Sequence, residues 1–206
     1  MTLVYVLILI AAFLMGSLPT GYLVAKSKGI DIKTVGSGNI GATNVTRAMG
    51  KGWGAFVLVI DALKGFLPVL FVKLYFRSLA QPDFYALMAV TGILAVAGHV
   101  FTPFLKFKGG KGIATTLGML IAIDPVFALV VLIVWLAAFL ITRVSSVGAL
   151  SAALSLPFIA WFLYHNKAVM DVMITFAAFM TVFLLFTHRE NIKRLYLGEE
   201  KPFKKK

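Results

Sequence analysis

"GIATTLGMLIAIDPVFALVVLIVWLAAFLIT", residues 112–142, is an apolar run of 31 residues broken only by Asp124-Pro125. As one helix it would be about 46 Å long at 1.5 Å per residue, well beyond a hydrocarbon core of about 30 Å. Split at Asp124-Pro125, it leaves a first half, 112–123, about 18 Å long. The residue before a proline resists the helical region, so a turn there is reasonable. One helix or two decides on which side of a membrane everything after residue 142 lies.

Outward from this run, residues 3–25, 53–76, 84–105, 146–164 and 169–187 are each about long enough to cross. Pro19 is a candidate kink in the first. The 206-residue chain is 60% hydrophobic, against about 45–50% for soluble domains, and surplus apolar surface of this size faces lipid. Yet the net charge is +12, from 20 Lys/Arg against 8 Asp/Glu. That combination predicts a membrane protein whose basic loops meet anionic lipid or anionic substrates, and not a nucleic-acid-binding module. The absence of cysteine excludes disulfides, thiolate metal sites and a Cys nucleophile. The N-terminal run has no charged n-region and no A-x-A-like site, so it reads as a retained helix.

Charge settles the count. With seven helices and the N-terminus outside, the inner segments hold Lys26, Lys28, Lys33, Arg47 and Lys51; Lys106, Lys108 and Lys111; Arg143; and Arg189, Lys193, Arg194, Lys201, Lys204, Lys205 and Lys206, which is 16 of 20. Six helices would put Arg143 and the basic tail outside, against the positive-inside rule. The expectation is an all-α polytopic membrane protein, one domain over 1–206. Its seven transmembrane helices run 3–25, 53–76, 84–105, 112–123, 125–142, 146–164 and 169–187, with the C-terminus cytoplasmic.

Three unusual segments then share the inner face. In the first, Gly36-Ser37-Gly38-Asn39-Ile40-Gly41 spells G-x-G-x-x-G, but between two membrane spans there is no parallel sheet, so the dinucleotide-binding reading fails. The alternative is an anion seat. Gly36, Gly38 and Gly41 let the backbone approach a ligand, successive N–H groups form a nest, Ser37, Asn39, Thr43 and Asn44 add side-chain donors, and Arg47 offers a fork for phosphate oxygens. In the second, Gly109-Gly110-Lys111-Gly112 opens a helix whose N-terminal N–H groups and dipole attract phosphate. Lys108 and Lys111 add charge, and Thr115 and Thr116 sit one turn in. In the third, His188 and Asn191 stand three apart, on one face if helical. Lys26 and Lys28 read as interfacial anchors. Asp61 and Lys64 form either a structural intrahelical pair or a support of the site, and His99 is either a packed core histidine or part of it.

"GSGNIGATNVTRAMG" (36–50), "GHVFTPFLKFKGGKGIATTLG" (98–118) and "HRENIKRL" (188–195) resemble the three cytoplasmic motifs of the bacterial acyl-phosphate–glycerol-3-phosphate acyltransferases. The likeness covers essentially the whole chain, including "DALKG" at 61–65. It implies transfer of a fatty acyl group from acyl phosphate to the 1-hydroxyl of sn-glycerol 3-phosphate in phospholipid synthesis, with no cofactor, at the cytoplasmic face of the bacterial inner membrane. A functional link to the enzyme that makes acyl phosphate goes with it.

The residues suit that chemistry. Both substrates carry phosphate. The mixed anhydride is already activated, so orientation and stabilisation of developing charge suffice. There is no convincing Ser-His-Asp set, no His-x4-Asp motif and no paired acidic metal ligands in the three motifs. Lys111, His188, Asn191 and Ser37 are the candidate catalytic residues. Gly36, Gly38, Asn39, Gly41, Thr43, Asn44, Arg47, Lys108, Gly109, Gly110, Gly112 and Thr115 are the candidate binding residues. His188 is a candidate base. The resemblance suggests instead that a substrate phosphate takes the proton, with His188 and Asn191 binding substrate, and this route is preferred. The rival is a transporter of a phosphorylated solute, which would place its site at the midplane between repeated halves.

Overall fold

The structure is a computed structural model that describes residues 2–202. Lys204, Lys205 and Lys206, counted above with the inner segments, lie outside the described residues. The described residues form ten α-helices and no strand: α1 (Thr2–Ser17), α2 (Thr20–Ser27), α3 (Ala42–Met49), α4 (Lys51–Tyr75), α5 (Gln81–Val100), α6 (Ile113–Ile123), α7 (Pro125–Thr142), α8 (Ser145–Tyr164), α9 (Met170–Thr187) and α10 (Arg189–Tyr196). Six helical segments among the described residues are long and apolar enough to cross a membrane: Leu3–Ser27, Lys51–Tyr75, Gln81–Leu105, Pro125–Thr142, Ser145–Tyr164 and Met170–Thr187. α6 is the exception. Its 11 residues reach about 16 Å, half of what a bilayer core requires.

The deciding run does break at Asp124-Pro125. Asp124 is extended, at φ −149° and ψ 109°, and Pro125 takes the first helical position, where its missing N–H costs nothing. The Asp124 carboxylate caps α7, accepting from the N–H groups of Val126 at 2.8 Å and Phe127 at 3.3 Å. Its second oxygen accepts from the Tyr164 hydroxyl at 2.6 Å. At the end of α6, Lys73 Nζ donates to the carbonyls of Ala122 and Ile123 at 2.8 and 3.1 Å. Carbonyls that a helix end leaves orphaned are thereby satisfied.

The chain divides into two compact units. One comprises α1 to α4, the body of α5 from Leu87, and α6; the other comprises residues 78–86 and α7 onward. In the first, glycines set the spacing. A Cβ on Gly65 would collide with the Thr115 carbonyl, and one on Gly118 with the Ala62 carbonyl, so α4 and α6 lie backbone against backbone. Gly16 and Gly98 stand in the same relation to Ala95 and Phe13, joining α1 to α5. In the second unit, Ala149, Ala152 and Ala153 of α8 are buried, and Thr181 of α9 donates to the Ala153 carbonyl at 2.7 Å.

Two elements differ from the sequence reading. The kink expected at Pro19 is a full break between α1 and α2, with Leu18 and Pro19 outside either helix. Residues 42–49, placed by the sequence in the loop of residues 36–50 between two spans, form the short helix α3. Tertiary packing overrides their weak propensity: Val45 is fully buried, and Gly54 of α4 leaves room for the Thr46 side chain.

Asp61 and Lys64 are 2% and 3% exposed. Lys64 Nζ donates to Asp61 Oδ1 and to the Leu18 carbonyl, both at 2.5 Å, and His99 Nδ1 lies 3.8 Å from the same Asp61 oxygen. Breaking one side of a buried pair leaves an uncompensated charge and costs about 3–5 kcal/mol. Asp61→Ala and Lys64→Ala are each expected to destabilise the purified protein on this scale. The double variant should lose clearly less than the sum, as read by unfolding in detergent. Additive losses would show that the two groups act independently.

Candidate active site

In the first motif, Asn44 is the organising side chain. It is 1% exposed. Its Nδ2 donates to the carbonyls of Ile32 at 3.2 Å and Val35 at 2.9 Å, and its Oδ1 accepts from the Ser37 N–H at 3.0 Å. Gly36 has φ 61°, a left-handed conformation, and a Cβ there would strike Asn44 Oδ1. Asn39 Oδ1 accepts from the Gly41 N–H at 2.8 Å, and the Gly38 N–H bonds to the Val35 carbonyl at 3.0 Å. The amide groups expected to reach for a ligand are thus largely used to fix the loop's shape. Ser37 and Arg47 are exposed, while Thr43 is half-buried at the start of α3.

The second motif folds back on the end of α5. The N–H of Gly109 donates to the Val100 carbonyl at 2.9 Å, and that of Gly110 to the His99 carbonyl at 3.0 Å. The His99 ring fills the space where a Gly110 Cβ would stand, so the chain can return only through glycine. Thr102 Oγ1 ties the turn to the Ser17 carbonyl at 2.5 Å. Gly112, at φ 83°, leads into α6, and its carbonyl accepts from the Thr116 N–H at 2.8 Å. Lys108 is exposed and Lys111 half-buried just before that helix. Thr115 and Thr116 bury hydroxyls with no hydrogen-bond partner among the described residues.

The first two motifs are brought together by one apolar cluster. Ile32, Ile40 and Val45 from around the first loop pack with Leu105 of the second, Ala25 of α2 and Val57 of α4.

The third motif belongs to the other unit. His188 caps α10 and Asn191 lies in its first turn; they are 3% and 5% exposed. His188 Nδ1 stands 2.9 Å from the Leu184 carbonyl. A carbonyl only accepts, so this bond assigns the ring proton to Nδ1, and in the neutral imidazole Nε2 carries the lone pair. Asn191 Nδ2 donates to Glu200 Oε1 at 2.6 Å, where Ser146 Oγ also donates at 2.7 Å, while Arg194 Nε donates to Oε2 at 2.6 Å. Burial alone would raise the Glu200 carboxyl, but the hydrogen bonds from Ser146, Arg194 and Asn191, with the Arg194 charge, hold it below the usual carboxylate range. The sequence reading missed Glu200 and Ser146. The available signal was Gly198, a C-terminal helix cap that turns the chain back toward α10. Among the described residues, no group of three or more His, Asp or Glu is gathered as a metal site.

A family model described as glycerol-3-phosphate acyltransferase matches residues 6–198. A glycerol-3-phosphate acyltransferase of Geotalea daltonii is 43% identical over 200 residues, 97% of this chain and 98% of the relative. That of Aquifex aeolicus is 42% identical over 197 residues, 95% and 97% of the two chains. Among solved structures, the glycerol 3-phosphate form of PlsY (YgiH), an integral membrane glycerol 3-phosphate acyltransferase, is similar with a TM-score of 0.85 and 40% identity, covering 97% of this chain and 96% of that one. The lysophosphatidic acid form gives 0.83 and 39%, covering 97% and 95%. With a family match across nearly all its residues and relatives above 40% identity end to end, this chain belongs to the glycerol-3-phosphate acyltransferase family.

Proposed function

We propose that this chain transfers a fatty acyl group from acyl phosphate to the 1-hydroxyl of sn-glycerol 3-phosphate. The products are 1-acyl-glycerol 3-phosphate and inorganic phosphate, made at the cytoplasmic face of the bacterial inner membrane. The observation that carries the reading is end-to-end likeness to PlsY, whose structures are described with glycerol 3-phosphate and with lysophosphatidic acid, a substrate and a product of such a transfer. The donor is chosen by chemistry. The motifs are rich in phosphate-binding residue types, and the His-x4-Asp motif of unrelated acyltransferases is absent. Acyl phosphate would be supplied by a functionally linked enzyme that makes it.

In the reaction, the 1-hydroxyl oxygen attacks the acyl carbon, the bond from that carbon to the phosphate oxygen breaks, and the hydroxyl proton passes to a substrate phosphate. Lys111, beside the N-terminus of α6, stabilises charge growing on the departing phosphate. The buried hydroxyls of Thr115 and Thr116 favour an oxygen-rich ligand near that helix start, since an unpaired buried hydroxyl costs about 1–3 kcal/mol. Ser37, Thr43 and Arg47, with Lys108, bind phosphate oxygens; the first three are carried by the segment that Asn39, Asn44, Gly36, Gly38 and Gly41 shape, and Lys108 lies in the turn that Gly109, Gly110 and Gly112 shape. His188 and Asn191 hold glycerol 3-phosphate. The chain acts as one domain, and α6 completes a seven-helix topology with the N-terminus outside, favoured by the 16 inner basic residues.

Purified protein is expected to make 1-acyl-glycerol 3-phosphate from acyl phosphate and not from acyl-CoA; comparable turnover with acyl-CoA would remove the donor assignment. Lys111→Ala should lower kcat by about 100-fold or more, the scale of losing one strong oxyanion donor. Lys26→Ala, an interfacial position 5.8 Å from the Tyr22 ring, should stay near the parent rate. Reporter fusions after residues 50, 110, 145 and 206 should all report cytoplasm. A periplasmic signal at 206 with a cytoplasmic one at 110 would require six spans.

A further inference from the structure

The segment after α10 has no part in the reaction as written, yet it returns to the third motif. Gly198 has φ 71°. Its N–H donates to the Leu195 carbonyl at 3.2 Å, and the Glu199 N–H donates to the Arg194 carbonyl at 2.8 Å. This pair of bonds is a Schellman cap, which satisfies the last carbonyls and reverses the chain. The reversal delivers Glu200 to Asn191, nine residues back. The Glu200 side chain is 11% exposed, and its partners Asn191 and Ser146 are 5% and 6% exposed.

We infer that Glu200 is a positioning residue of the active site: its carboxylate fixes which way the Asn191 amide faces. The inference rests on the reading of Asn191 as a substrate contact. A side-chain amide presents an NH2 on one side and an oxygen on the other, and its last torsion is broad and nearly two-fold, so packing alone selects weakly between them. An ionised carboxylate only accepts. The group of Asn191 that meets Glu200 is therefore the NH2, and the acceptor oxygen is turned the other way. Glu200 is itself immobilised. Ser146 at the start of α8 donates to the same oxygen at 2.7 Å, and Arg194 holds the other at 2.6 Å. The charge-assisted bond from Arg194 also keeps the carboxyl ionised, which preserves the one-way choice. A glutamine in its place would lose that choice, since its own amide donates or accepts with equal ease.

The test is steady-state kinetics with acyl phosphate and glycerol 3-phosphate on the full chain and on Glu200→Ala, Glu200→Gln, Asn191→Ala and the Glu200→Ala/Asn191→Ala pair. Thermal unfolding of each is measured in detergent. Glu200→Gln keeps the size and part of the hydrogen bonding, so it serves if the alanine variant folds poorly. The expected result is a fall in kcat of about 10- to 100-fold for either Glu200 variant, the scale of a small misplacement of a reacting group. The KM for acyl phosphate should stay near the parent value. On the Asn191→Ala background, removing Glu200 should cost no further kcat while still lowering the unfolding temperature, because the Ser146 and Arg194 bonds are lost in both. A purely structural staple would lower stability without that epistasis in kcat. The inference is overturned if Glu200→Gln keeps full kcat while Asn191→Ala loses it. It is equally overturned if kcat rises on removing the carboxylate, which would mark Glu200 as a competitor of substrate anions, or if the two losses in kcat multiply. Full kcat for Asn191→Ala alone would instead remove the assignment of Asn191, and the inference with it.

Discussion

Two opposite charges inside a membrane-spanning helix govern the first unit. Asp61 and Lys64 lie three residues apart on α4 and are almost fully buried, where an unpaired charge is expensive. Lys64 has more donors than one carboxylate oxygen satisfies, and it finds the Leu18 carbonyl. That carbonyl lies in the break that Pro19 makes between α1 and α2. The proline, the pair and the break therefore explain one another. The same carboxylate has His99 beside it, and the His99 ring is the floor under Gly110. A chain of contacts thus runs from a buried ion pair to the turn that presents Lys111.

That chain clarifies how a glycine-rich loop is made stiff. Glycine gives close approach and positive φ but costs conformational entropy. In the first motif the cost is offset by Asn44, which closes the loop with three hydrogen bonds from one side chain. In the second it is offset by two backbone bonds to the end of α5. The exposed Ser37, Arg47 and Lys108, with the half-buried Lys111, are thereby carried on backbone whose shape is held by these hydrogen bonds.

Much of this was legible in the residues. Long apolar runs gave five of the spans to within a few residues, because hydrocarbon thickness fixes helix length. Asp124-Pro125 marked the break, because proline constrains its predecessor. The motifs pointed to phosphate through residue chemistry alone, and that reading enters as part of the proposed function. What escaped notice depends on packing at a distance. α3 is polar and short, and only Val45 and the notch at Gly54 make it a helix. Asn44 looks like a ligand donor in a string of letters, and its commitment to Ile32 and Val35 appears only once the loop is closed. Glu200 has no local signature, since its partners are six, nine and 54 residues away.

The glycine contacts in the first unit also have a mechanical meaning. Where a side chain touches a side chain, one rotates and the helices slide. Where Gly65 and Gly118 rest on the carbonyls of Thr115 and Ala62, no side chain stands between the two backbones, so at these two points α4 and α6 mesh like the teeth of a gear. Lys111 stands two residues before α6 begins. Its position is therefore indexed to the register of α4, and a slip between the two helices would move the lysine by whole residues, with no intermediate setting.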